Sequence, residues 1–146
     1  MNLVGLNFVE ANCYGANFVL ANCVGTNFFR TNLTYTNCVG TNFANFNFIR
    51  AVFGEANFSG ANLNGAILKP GLKINGDCRI KTIDDYNFEI IVLKTQTQII
   101  IKIGCHVFLL EEWEKMTDAD ISSMDKNVLE EWQIYKHRLF EIAKRF

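Results

Sequence analysis

Proline is nearly absent from this chain of 146 residues, with Pro70 its single example. That excludes a collagen-like composition or a proline-rich linker. Charge is also scarce at first: residues 1–70 carry Glu10, Arg30, Arg50, Glu55 and Lys69 and no other charged side chain. Clustered Lys and Arg are what displace counterions from phosphates, so no direct nucleic-acid binding is expected. Dense acid, which imitation of a phosphate backbone would need, is missing too. No run of about eighteen apolar residues occurs, and no charged-then-apolar leader opens the chain. The expectation is a soluble cytoplasmic protein without membrane contact, its 5 cysteines reduced.

Catalytic and metal-binding constellations are equally thin. Cys105-His106 with Cys78 and His137 has neither CxxC nor HxxxH spacing. A Cys-His nucleophile pair would lack a third, orienting group. No glycine loop for phosphates appears, and Glu111, Glu112 and Glu114 read as a solvated helix face. Neither an enzyme nor a cofactor is expected.

What the chain has instead is a period of five. Leu6-Asn7-Phe8-Val9-Glu10, Ala11-Asn12-Cys13-Tyr14-Gly15 and Ala16-Asn17-Phe18-Val19-Leu20 continue in frame to Ala66-Ile67-Leu68-Lys69-Pro70. The third residue of each five is Leu, Phe or Cys from Leu3 to Leu68, which accounts for 7 of the 13 phenylalanines. The first is small in most units and the second is nearly always Asn. A helix would turn each step of five by roughly 140° and spiral the rings around its axis. A straight strand would throw every other ring to the opposite face. The period fits only a backbone that bends after each five, returning the large residue to one interior. Asn and Gly suit such bends, since both tolerate φ > 0 and Asn can bond its own backbone. Cys13, Cys23 and Cys38 stand at the third position and read as small buried hydrophobes. Leu6 and Phe46 are large where a small residue is expected, and Val52 and Ile67 replace Asn, Ile67 at the exit from the repeats.

Tandem Ala-Asn-Phe/Leu-x-x, as in Ala56-Asn57-Phe58-Ser59-Gly60, resembles the pentapeptide-repeat protein family over residues 1–70. The resemblance implies a mainly β fold: a right-handed quadrilateral β-solenoid with four fives per coil, rising roughly 4.8 Å per coil. Residues twenty apart then share a face. Val9, Phe29 and Ile49 form one outward apolar column, Val19 and Val39 another, with Tyr14, Leu20 and Tyr35 adding to the patch. Arg30 and Arg50 also stack and could grip a partner carboxylate. These are the candidate protein-binding residues, unless the C-terminal half folds over them. The family includes DNA-mimicking inhibitors of bacterial type II topoisomerases, but the outward second position here is neutral Asn.

Beyond Pro70 the fives stop, dividing the chain into a solenoid at 1–70 and a capping or interaction domain at 71–146. Leu72 to Ile80 alternates around Asn75-Gly76 as a hairpin would. Asp84-Asp85 reads as a turn, and Tyr86 to Lys94 and Thr97 to Ile103 read as strands of a small β-meander closing the solenoid. Helices follow: one signal from Leu109, an N-terminus at Thr117-Asp118-Ala119-Asp120, and a last helix with Val128, Trp132, Tyr135, Leu139, Ile142 and Phe146 along one side. Gly104-Cys105-His106 with Glu112-Trp113 resembles a C-terminal segment of phage and prophage proteins over about forty residues. The reading is a non-enzymatic protein-binding scaffold, directed at a host enzyme or complex of DNA metabolism or defence. A self-assembling element or homodimer, formed through the Met1 end or the last helix, is the remaining alternative.

Overall fold

The computed structural model describes residues 1–83, 89–104, 106–124 and 129–146, with Glu131 by its backbone alone. The Asp84-Asp85 turn, the start of the strand at Tyr86, Cys105 and Val128 fall outside the described residues.

The repeats wind as a β-solenoid. Parallel bridges join residues twenty apart, from Asn2↔Asn22 and Asn7↔Asn27 through Asn42↔Asn62 and Asn47↔Ile67. Each coil therefore has four walls of one five apiece. The bend is visible in the backbone: every fifth residue from Gly5 to Gly65 has φ between 52° and 75°. Glu10, Leu20, Arg30, Tyr35, Asn45, Arg50 and Glu55 take this left-handed conformation without being glycine, at roughly 1 kcal/mol or more apiece. Asparagine supplies part of what holds them there. Asn7, Asn12, Asn17 and Asn47 each accept the N–H two residues on at 3.0–3.1 Å through Oδ1, closing the turn.

The third-position side chains point into one interior. Phe28, Leu33, Cys38 and Phe43 are wholly buried, and Phe28 lies between Phe8 and Phe46, stacked at 4.7 and 4.4 Å between ring centroids. Phe46 thus uses its out-of-pattern size to continue the ring stack inside the coil. Leu6, the other oversized first-position residue, is 47% exposed at the amino-terminal rim. Thr26, Thr31 and Thr41 are buried among apolar groups, and their hydroxyls donate to the carbonyls of Leu3, Phe8 and Phe18 in the preceding coil. That removes the cost of an unpaired buried hydroxyl.

The solenoid leaves through a hairpin, β1 (Ile67–Lys69) and β2 (Leu72–Lys73), turning at Pro70-Gly71. The sequence placed a hairpin at Asn75-Gly76 instead, and this is a correction. Ile74 is fully buried and exchanges backbone hydrogen bonds with Ala66 and Gly65, so it extends the solenoid stack. Gly76 then donates to Asn64 Oδ1 at 2.9 Å. Pairing with the coil beneath outcompetes the local turn.

Four antiparallel strands follow in chain order: β3 (Arg79–Ile83), β4 (Ile90–Lys94), β5 (Ile99–Ile103) and β6 (His106–Leu109). Strand β6 covers 106–108, where no element was expected, and ends at Leu109, where the helical signal began. Alternate residues of β4 and β5 serve two cores. Ile91, Leu93 and Ile100 join the solenoid interior, while Ile90, Val92, Ile101 and Ile103 face the helices. The sheet is thus a lid on the last coil, covered in turn by α1 (Leu110–Lys115), α2 (Asp118–Met124) and α3 (Leu129–Arg145). Trp113 donates its indole N–H to the Ile101 carbonyl at 2.9 Å and packs on Trp132 at 5.2 Å. The expected helix start at Thr117 is present as a reciprocal cap, Thr117 and Asp120 each accepting the other's N–H. In α3, Trp132 and Leu139 are buried with Ala143, whereas Tyr135 is 36% exposed. Among the described residues, no helix is long and apolar enough to cross a membrane.

Candidate functional site

The four walls separate the residues that the sequence grouped as one outward patch. Fives beginning at Leu6, Thr26, Phe46 and Ala66 form one wall, and it carries Val9, Phe29 and Ile49 in a column. Val9 is 39% exposed, and Phe29 and Ile49 are half-buried. The C-terminal half borders the far end of this column, with Leu72, Lys73 and Gln98 beside Ile49 and with Phe108 and Glu112 against Lys69.

Val19 and Val39 stand on the opposite wall, ten residues further round the coil. Leu20 stands at that wall's corner, 74% exposed, with its side chain lying over Gly40. Tyr14 and Tyr35 belong to the wall between. Their rings meet edge to face at 5.5 Å, and the Tyr35 hydroxyl is 3.1 Å from Glu55. One continuous patch of all these residues is therefore not what the fold builds, since a period of twenty sends neighbouring fives around corners.

Arg30 and Arg50 do stand one above the other at the corner beside Phe29 and Ile49. Arg30, however, already holds a carboxylate: Nη1 lies 3.0 Å from Glu10, and its guanidinium is 5.1 Å from the centre of the Phe29 ring. The corner column is acid–base–base and partly self-neutralised.

The column ends in a groove that was not legible in the sequence. Ile49, Ile67, Pro70, Leu72, Lys73 and Gln98 line an open cleft of about 490 Å³ between the wall and the β1–β2 hairpin. Its one sequence signal is Ile67, where Asn would normally stand.

The remaining chemistry is accounted for structurally. Glu112 caps α1 by accepting the Leu109 N–H at 2.7 Å and lies 3.8 Å from Lys69, and Glu114 pairs with Lys144 at 2.6 Å. Burial pushes the Cys23 thiol up to about 11 and that of Cys38 to about 12. Among the described residues no three His, Cys, Asp or Glu side chains converge as metal ligands; Cys105 is not one of those residues.

Comparison with curated proteins returns no match. Among solved structures, the chain is similar to HetL, a pentapeptide repeat protein involved in heterocyst differentiation regulation in the cyanobacterium Nostoc sp. strain PCC 7120. The identity is 25%, covering 50% of this chain and 34% of that one, with a TM-score of 0.48. It is similar to Rfr23 of the cyanobacterium Cyanothece 51142 at 22% identity, over 47% of each chain, with a TM-score of 0.46. It is similar to QnrB1, a plasmid-mediated fluoroquinolone resistance protein, at 22% identity over 44% of this chain and 39% of that one, with a TM-score of 0.20. The match spans less than half the length of each of these proteins. The family model for pentapeptide repeats matches residues 2–34 and 31–69 in 8 copies. With every fifth residue left-handed and the third-position rings stacked inside, residues 2–69 of this chain form a run of pentapeptide repeats.

Proposed function

We propose that this protein is a non-enzymatic scaffold that binds another protein through the wall bearing Val9, Phe29 and Ile49. The observation that carries this reading is the continuity of that column with the groove at Ile67 and Leu72. A rigid wall with an apolar centre, a polar corner and a groove at one end suits a protein loop or an extended segment. Lys73 and Gln98 at the groove and Arg50 at the corner offer donors to the partner's carbonyls or carboxylates. Val19, Val39, Tyr14 and Tyr35 stand on other walls and take no part in this contact.

The partner we favour is a host enzyme or complex of DNA metabolism or defence, with the chain acting in the cytoplasm as an inhibitor of phage origin. That choice rests on the resemblance of Gly104-Cys105-His106 with Glu112-Trp113 to a segment of phage and prophage proteins. Mimicry of DNA against a topoisomerase is weighed down by charge. The solenoid has two acids, Glu10 and Glu55, and both are engaged, by Arg30 and by Tyr35.

The test compares the intact chain with Phe29→Asp and Leu20→Asp as baits in affinity capture, followed by binding measurements with each purified captured protein. Phe29→Asp should lose the partner while Leu20→Asp keeps it. Equal binding by all three folded baits would remove this wall from the account.

A further inference from the structure

The groove at the end of the Val9–Phe29–Ile49 column is made by a break in the repeat. Asn27 and Asn47 each accept the N–H two residues on, from Phe29 at 3.1 Å and from Ile49 at 3.0 Å. Ile67 stands next in that stack and has no oxygen with which to do so. The turn-closing bond is given up, and an apolar side chain lines the groove beside Ile49. Pro70 and Leu72 complete the apolar lining from the β1–β2 hairpin. Both ends of the Gln98 amide hold that hairpin in place. Its Oε1 accepts the Asn75 N–H at 3.0 Å, and its Nε2 donates to the Lys73 carbonyl at 3.2 Å. The cleft of about 490 Å³ is thus preformed, with room for a side chain or two of a partner.

Charge around the groove has one sign. Lys73 lines it, Arg50 follows Ile49 at the corner, and both are exposed. Among the described residues neither has an ion pair, and no acidic side chain lines the groove. Arg30 and Lys69 differ, since Arg30 holds Glu10 and Lys69 lies 3.8 Å from Glu112. Arg50 also keeps an open backbone donor. One coil earlier, the Arg30 N–H bonds the Ile49 carbonyl at 3.1 Å. The matching acceptor for Arg50 is the Lys69 carbonyl, but the chain turns there into the hairpin. Among the described residues the Arg50 N–H makes no backbone hydrogen bond.

We propose that this groove takes an acidic segment of the partner protein, anchored by one large apolar side chain. The aliphatic or aromatic anchor sits among Ile49, Ile67, Pro70 and Leu72. Asp or Glu residues beside it in the segment meet Arg50 and Lys73. Taking the anchor out of water supplies the affinity, and the two cations decide which segments are accepted. A guanidinium and a backbone N–H at one corner suit the two oxygens of a carboxylate. A basic segment would bring its charges against two unpaired cations and is refused. This names the chemistry of the partner for the wall described above, and it rests on that wall being a protein contact.

The probe is a library of random dodecapeptides displayed on phage and selected on the immobilised full chain at low salt. Enriched peptides should share a large apolar residue with Asp or Glu close beside it. Synthesised and labelled, they should bind Arg50→Glu/Lys73→Glu at least about tenfold more weakly than the parent in fluorescence anisotropy. Ile67→Asn restores the usual residue of the repeat, so it should keep its circular dichroism and still lose the peptide. Peptides enriched in Lys or Arg, or no enrichment at all, would overturn the proposal. So would acidic peptides that bind both variants as well as the parent. The wall and the groove can fail separately. A captured protein lost with Phe29→Asp but kept with Arg50→Glu/Lys73→Glu retains the wall and ends the groove assignment. Acidic peptides bound through Arg50 and Lys73, with no captured protein that depends on Phe29, leave the groove its ligand and end the wall.

Discussion

The carboxylate of Glu89 accepts the backbone N–H of Phe53 at 2.8 Å. In earlier coils the equivalent donor finds a carbonyl one coil on, as Phe28 does with Asn47 and Phe48 with Ile67. No further coil exists above Phe53, so a side chain from the lid replaces that carbonyl. The other oxygen of Glu89 pairs with Lys102, whose side chain is 4% exposed and whose ammonium lies 5.1 Å from the centre of the Phe53 ring. A charged lysine is thereby tolerated in the middle of an otherwise apolar strand.

This junction yields the first prediction. Glu89→Ala strands a buried N–H and a buried ammonium together, and should cost about 3–5 kcal/mol in urea unfolding. The double variant Glu89→Gln/Lys102→Met keeps an acceptor for Phe53 and removes the charge. It should recover most of that loss.

The corners give a second prediction with an internal control. A methyl group added at Gly65 would meet Asn45 Oδ1 at 2.4 Å, with φ at +75°. One added at Gly15 meets open space at φ +67°. Gly15→Ala should therefore cost only the left-handed penalty, roughly 1 kcal/mol. Gly65→Ala should cost clearly more, because the Asn45 side chain must also leave its place. Midpoints of thermal or urea unfolding decide between them.

In the core, Phe28 touches both neighbours of its stack and has no route to solvent. Phe28→Ala should destabilise by about 3–5 kcal/mol, the range for removing a buried ring. The half-buried Phe8 at the rim should lose less on the same change.

The solenoid was legible because its signal repeats. One in-frame residue class every five positions excludes helix and strand by geometry alone, and Phe8, Phe18 and Phe28 share the interior as that demands. The meander and the last helix were legible from alternation and from the spacing of Trp132, Leu139 and Ile142. Strand β6 was not, because His106-Val107-Phe108-Leu109 runs straight into helix-forming residues and its pairing with β5 is a tertiary fact. The Asn75-Gly76 turn misled for the same reason, since Ile74 pairs with a coil distant in sequence. Wall membership of Val9, Phe29 and Ile49 followed from counting by twenty. The Arg30–Glu10 pair lay in that same count. The groove beside Ile49 did not, because the β1–β2 hairpin that closes it is placed by packing.

The cysteines supply a prediction in pH. Burial raises Cys23 to about 11 and Cys38 to about 12, from an ordinary 9.0. At pH 8 the folded protein should be alkylated at these thiols at least about 100-fold more slowly than the urea-unfolded chain, from thiolate fraction alone. The sign for stability follows. Both thiols are protonated in folded and unfolded chains below pH 9, so nothing is lost there. Above it the unfolded chain ionises first, and stability should fall as pH climbs towards the folded values. A denaturation midpoint flat from pH 9 to 11 would contradict this burial.

The most direct measurement asks whether residues twenty apart are neighbours on one wall. Val9→Cys/Phe29→Cys and Val9→Cys/Val19→Cys would each be treated with a short bifunctional bimane, which fluoresces on joining two adjacent thiols, and mapped by mass spectrometry. The account predicts rapid bridging of positions 9 and 29 and none of positions 9 and 19. Bridging of 9 to 19, or failure of the 9–29 pair in a folded chain, would contradict it.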